Sequence, residues 1–217
     1  MSWVGPPVSC RKVSKAYGYA PALREVDFEA EKGSLVALIG DNGAGKSTLL
    51  KVLATLLRPD SGECRVLGQD VTLAAQSVRG QIGYLGHESM LDKALTLREN
   101  LRLFASLYGL ANHRERVEDV IGSLGAGSFA DNPVSELSRG QEQACALGRA
   151  LVHGPSVILL DEPANALDPK ARERLFGILK KETALGHTVI FSTHDQESAR
   201  ELASRVVRMA QGRIQSA

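Results

Sequence analysis

The chain lacks any apolar run long enough to cross a bilayer. Its longest, such as 35–39 and 157–160, fall far short of the ~20 residues a spanning helix requires. The sequence therefore reads as a soluble chain whose membrane role, if any, comes through a partner. Met1–Pro7 has no charged start followed by an apolar stretch, so it does not read as a secretory signal. Cysteine is scarce. Cys10, Cys64 and Cys145 are widely separated, odd in number and without metal-ligand spacing, and they read as reduced thiols of a cytosolic protein. Net charge is nearly absent: 26 basic against 25 acidic side chains give +1. No basic block stands out, which argues against a nucleic-acid footprint. No internal repeat or low-complexity linker appears. What remains, 43% hydrophobic and 24% charged over 217 residues, is the balance of one globular domain, or one with a small appended lobe.

The first thirty-odd residues read as strands. Val26, Phe28 and Ala30 alternate with Asp27, Glu29 and Glu31, a half-buried pattern. Residues 34–39 form a continuous apolar run, typical of a strand covered on both faces. Glycines follow, then Leu49, Leu50, Val52, Leu53, Leu56 and Leu57 at helical spacing. Residues 59–62 read as a turn and 64–67 as a hairpin arm. After a strand at 82–85 the pattern becomes helical. Thr96 with Glu99 predicts a capping box opening a helix that carries Leu97, Leu101, Phe104 and Leu107 on one face. Further helix starts are predicted at Asn112 and Ser138. Strands return at 157–160 and 188–192, separated by a helix that Asp168-Pro169 begins and Gly186 ends. This order predicts an α/β fold, a mainly parallel sheet covered on both faces, with an antiparallel β subdomain and a helical lobe inserted at about residues 86–150.

Gly40, Asp41, Asn42, Gly43, Ala44, Gly45, Lys46 and Ser47 match G-x-x-x-x-G-K-[ST] between a buried strand and a helix. With Thr48 they make a candidate phosphate cradle. Glycines let successive N–H groups curve around phosphate oxygens while the helix presents its positive end. Lys46 would neutralise β- and γ-phosphates, and the Ser47 hydroxyl would hold Mg²⁺. The strand at 157–160 ends in Asp161-Glu162. Asp161 there is placed to bind Mg²⁺ and Glu162 to polarise the attacking water as general base. The motif alone says nucleoside triphosphate, without saying which machine uses it.

Leu137-Ser138-Arg139-Gly140-Gln141 resembles the LSGGQ signature of the ATP-binding cassette (ABC) ATPases, and it precedes Asp161-Glu162 in the order that family requires. The resemblance implies a P-loop NTPase fold and a dimer, either of two copies or with a paired ABC ATPase. In such a dimer Ser138, Arg139, Gly140 and Gln141 would face ATP on the opposite subunit. It further implies that Ala166-Leu167-Asp168 is the D-loop, that His194 is the switch histidine, and that Tyr17 stacks on adenine, with Tyr19 a weaker candidate. Most relatives read Tyr-Leu-Pro-Gln where this chain has Tyr84-Leu85-Gly86-His87. The usual glutamine reaches Mg²⁺, whereas neutral imidazole prefers softer metals. His87 is thus a candidate metal contact, with water mediation or no contact as alternatives. Arg139 replaces the first signature glycine, while its N–H stays available.

The family implies ATP hydrolysis driving a transporter, with integral membrane subunits as partners at the cytoplasmic face of the inner membrane. Gly86-His87 and the segment 95–101 resemble the haem-exporter ATPase subunit of bacterial cytochrome c maturation, as does the lack of an extension after Gly212-Arg213. Residues 86–110 would receive the membrane subunit, with Ile82, Leu85, Leu101 and Phe104 in the core and Met90 and Leu91 left exposed. The competing reading is an ABC ATPase of translation or DNA repair. One cassette, no heptads and near-zero charge argue against it, and the missing N-K-x-D segment argues against a GTPase.

Overall fold

The computed structural model describes residues 4–111, 113–165 and 167–215. Strands β1 (Val8–Tyr17) and β2 (Ala20–Ala30) form an antiparallel hairpin. In β2 the expected alternation holds: Val26, Phe28 and Ala30 are buried and the acids between them exposed. β3 (Leu35–Ile39), buried throughout, runs into α1 (Lys46–Leu53). This helix ends earlier than its apolar spacing predicts. Thr55 takes a left-handed φ of 60°, the usual stop for a helix. Leu56 consequently turns to solvent while Leu57 stays half-buried.

β4 (Ser61–Val66) and β5 (Gln69–Asp70) complete the first sheet, in the order β2-β1-β4-β5. Ser61 and Gly62 therefore belong to a strand, not to the predicted turn. Cys10 on β1 faces Cys64 on β4, and the two sulfurs are bonded. The expectation of three reduced thiols fails for this pair, because strand register is invisible to sequence spacing. Cys145 alone is free, buried, its thiol pushed up to about 12 by burial.

After α2 (Ala75–Arg79) the chain enters β6 (Ile82–Leu85), then α3 (Leu97–Leu107) and α4 (His113–Leu124). Thr96 and Glu99 form the predicted capping box. The buried face of α3 comprises Leu97, Asn100, Leu101 and Ala105, with Phe104 half-buried, whereas Leu107 is exposed. Met90 is exposed as expected, but Leu91 packs against the core. Asn112, the predicted start of α4, lies outside the described residues.

α5 (Arg139–Leu151), β7 (Val157–Leu160), α6 (Pro169–Ala184), β8 (Thr188–Thr193), α7 (Gln196–Leu202), β9 (Arg205–Ala210) and β10 (Arg213–Ile214) follow. The second sheet has the order β10-β9-β3-β8-β7-β6, parallel from β9 to β6. One apolar core joins this sheet to α1 and the first sheet. Another lies beneath α3, α4, α5 and α6. No helix among the described residues is long and apolar enough to cross a membrane.

Candidate nucleotide site

Parallel strands deliver their C-terminal ends to one edge, where ligands of open α/β sheets bind. Here β3 leads to the cradle, β6 to His87, β7 to Asp161-Glu162, and β8 to His194. Elements distant in sequence thus meet through register: Ile39 pairs with Thr193, Leu160 with Phe191, and Leu85 with Leu160.

The cradle depends on glycine at Gly45. Its φ is 104°, and a Cβ there would lie 2.6 Å from the carbonyl oxygen of Ala22 on β2. This close approach seats the β1–β2 hairpin against the first turn of α1. Tyr17 closes β1 with its ring about half exposed, and Tyr19 is fully exposed. Lys46 is buried, and its ammonium donates to the carbonyls of Gly40 (2.6 Å) and Asp41 (3.1 Å). Glu162 Oε1 lies 4.0 Å from the same nitrogen.

Asp161 is buried at the end of β7. Its Oδ1 accepts from the hydroxyls of Ser47 (2.9 Å) and Ser192 (2.6 Å). Its Oδ2 is buried without a hydrogen-bond partner, with His87 Nε2 3.6 Å away. An orphaned carboxylate oxygen in the interior is costly unless something neutralises it. A hard divalent cation that takes few protein oxygens and keeps water and phosphate ligands suits this pair of Ser47 and Asp161. Among the described residues no group of three or more His, Cys, Asp and Glu forms a metal cluster.

Glu162 has φ 50°, a left-handed conformation that costs a non-glycine residue strain. Its N–H donates to Ser192 Oγ (2.8 Å), and its Oε2 lies 3.0 Å from Nδ1 of the exposed His194. Sequence reasoning assigned His194 as the switch histidine and missed its carboxylate partner. It also missed Ser192, which ties Asp161 and Glu162 together. The one available signal was a serine directly after the apolar run 189–191.

Ser138 and Gln141 form a reciprocal capping box at the start of α5. Arg139 is exposed and lines a cavity of about 110 Å³ together with Gly86, His87, Asp161 and Glu162. Asp168 caps α6, accepting from Ala171 N–H at 2.9 Å, with Pro169 at the first helical position. Ala166, assigned to the same loop, lies outside the described residues.

The family model for ABC transporters matches residues 23–165, from within the first hairpin to the loop after Asp161-Glu162. The chain belongs to the ABC transporter family, as an ATP-binding domain. It is 43% identical over 98% of its length to the sulfate/thiosulfate import ATP-binding protein CysA of Synechococcus elongatus, and that match covers 62% of the relative. Nod factor export ATP-binding protein I of Burkholderia pseudomallei is 36% identical over 95% of the chain and 69% of its own length. The chain thus spans about three fifths of the sulfate/thiosulfate importers it matches. The ATP-binding cassette MJ0796, solved as a dimer in a post-hydrolysis state bound to ADP and Pi, superposes with a TM-score of 0.90. That structure is 29% identical, and the match covers 96% of this chain and 97% of the solved one. The domain is accordingly an ABC ATPase domain of the P-loop NTPase fold.

Proposed function

We propose that this ATPase domain works in a dimer, hydrolysing ATP held between the cradle of one copy and the start of α5 in the other, to energise transport through separate membrane subunits. The observation that carries the reading is the buried, half-satisfied Asp161 set between Ser47 and Glu162. Gly40–Thr48 would cradle the phosphates, with Lys46 exchanging the loop carbonyls for β- and γ-oxygens. Ser47 and Asp161 would hold Mg²⁺, which neutralises charge on those oxygens when bound. His87, at 3.6 Å from Asp161, is close enough for a water-bridged contact. Glu162 would take the proton of the attacking water, its Oε2 steadied by His194. Tyr17 would stack on adenine, and Ser138 and Gly140, with Arg139 beside them, would close on the partner's γ-phosphate. Asp168 would stand at the crossing between the two copies.

Met90, Leu103, Leu107 and Tyr108 are exposed on the loop after β6 and on α3. They make the candidate contact for a membrane subunit, beneath the cytoplasmic face of a cell membrane. The relatives' names point to sulfate or thiosulfate import and to Nod-factor export. Export of haem would draw its support from the resemblance at Gly86-His87 and residues 95–101.

Glu162→Gln tests the shared site. The variant should bind ATP, hydrolyse it about a hundredfold or more slowly, and elute as a dimer in size-exclusion chromatography with ATP. A variant that stays monomeric with ATP bound, or that turns over normally, sinks the reading.

A further inference from the structure

The start of α5 does more than present a capped helix end. Glu142 Oε1 accepts from Ser89 Oγ at 2.8 Å and has Lys93 Nζ at 3.9 Å. The next residue, Gln143, donates from Nε2 to the carbonyl of Pro163 at 3.3 Å. Arg149 lies two turns further on, on the same face as Glu142. It donates from Nε to the carbonyl of Ser89 (3.0 Å) and from Nη2 to that of Tyr84 (2.6 Å). Arg149 is buried, with its guanidinium over the Phe104 ring at 5.4 Å. The helix can sit this close because β6 offers Gly83, where a Cβ would lie 2.2 Å from the carbonyl oxygen of Ala150.

These contacts reach two segments, the end of β6 with the loop after it and the loop after β7. Tyr84, Ser89 and Lys93 bracket His87, while Pro163 directly follows Glu162. Each loop contains a non-glycine residue in the left-handed region, Met90 at φ 54° and Glu162 at φ 50°. Such conformations persist only when their surroundings over-determine them. The two loops share the cavity that Glu142 and Gln143 also line. We propose that Glu142, Gln143 and Arg149 are positioning residues. They clasp the loop after β6 and the loop after β7 onto one helix, so that the placement of His87 and Glu162 around Asp161 is set from α5. Lys93 neutralises Glu142 without replacing the Ser89 bond, so the hydroxyl bond carries the registration. The inference rests on the ATPase reading only for its kinetic readout.

The test compares Glu142→Ala, Glu142→Gln and Ser89→Ala in the full chain. Losing this half-buried hydrogen bond to a carboxylate should lower kcat about tenfold in both alanine variants. KM for ATP and the affinity for a non-hydrolysable ATP analogue should stay within about twofold, the pattern of an interaction that serves the reaction rather than binding. Glu142→Gln keeps an acceptor for Ser89 and should recover most of the rate. Amide hydrogen exchange should quicken at residues 86–93 in both alanine variants, with 35–53 unchanged. A role confined to stability would instead lower the melting temperature while kcat of the folded fraction stayed at the parent value, and that result overturns the proposal. So does a glutamine variant as slow as the alanine one. Should Glu142→Ala fail to fold, Ser89→Ala decides by the same two results, since it removes only a hydroxyl. A parent chain without ATPase activity would instead count against the ATPase reading, while the exchange data still decide whether the clasp exists.

Discussion

The cradle and the helical lobe meet at Asp161-Glu162 by different means. The cradle is local: one buried strand, a glycine loop and one helix, contiguous from Leu35 to Leu53, with backbone groups as its working parts. The lobe side is assembled by side chains that cross long stretches of sequence. Ser89 meets Glu142, 53 residues away, and Arg149 reaches Tyr84, 65 residues away. Backbone sites impose a composition that a sequence reader sees, since only glycine tolerates the φ of Gly45. Side-chain clasps impose only that a donor face an acceptor, and many residues satisfy that.

This is why legibility differs between the two regions. The succession of strand, glycine loop and helix over 35–53, the buried strand before Asp161-Glu162, the capping box at Thr96 and the helix start at Ser138 could be read directly. So could the alternation of β2 and the buried run of β3. The pairing of Cys10 with Cys64, the hydroxyl bridge of Ser192 and the amide of Asn100 depend on register and packing, which spacing does not encode. Leu107 and Leu56 mislead for a related reason. Each fits an apolar helical pattern, but the helix has turned away or ended before that residue reaches the core.

The sharpest way to break the comparison is Lys46→Ala. It should cost about 2–3 kcal/mol of phosphate binding, or roughly 30- to 150-fold in ATP affinity, while the lobe keeps its structure. Isothermal titration with ATP, beside far-UV circular dichroism, measures both. Unchanged affinity would mean that the glycine loop is not the phosphate cradle.

A smaller effect, with the opposite signature, is expected at Asn100. This fully buried amide accepts from Asp92 N–H (2.9 Å) and donates to the carbonyls of Asp92 (3.0 Å) and Thr96 (2.9 Å), with that of Leu95 at 3.4 Å. It pins the end of the loop that begins at His87. Asn100→Ala leaves the Asp92 N–H without its side-chain acceptor, removes one of two donors from carbonyls that keep their backbone partners, and should destabilise the chain by about 2 kcal/mol, read by urea denaturation. ATP affinity of the folded protein should hardly move. A loss of affinity equal to that of Lys46→Ala would erase the division between the two regions.

The smallest effect concerns the seam between them, and it depends on pH. His153 follows α5, its ring stacked on Tyr108 at 3.8 Å, with Nε2 3.0 Å from the Ile82 carbonyl on β6. If Nε2 carries the proton and donates to that carbonyl, Nδ1 is an acceptor, and it is buried without a partner. Protonating Nδ1 would place a charged N–H where nothing accepts it. Burial above all, with Arg149 and Arg116 nearby, lowers the pKa from 6.5 to about 4, against the raising effect of the Ile82 carbonyl. Because the folded pKa lies below the unfolded one, the unfolded chain binds the proton first as pH falls. The contribution to stability is therefore complete above about pH 6.5 and is lost progressively towards pH 4. At pH 5 the loss should be about 2 kcal/mol. Other groups add their own acid dependence, so the informative quantity is a difference. His153→Gln keeps a donor for the Ile82 carbonyl but does not titrate. Its stability should fall less than the parent's between pH 7 and pH 5, read as a convergence of the two melting temperatures. Parallel curves across that interval would show that the ring at this seam takes up its proton as easily as one in water.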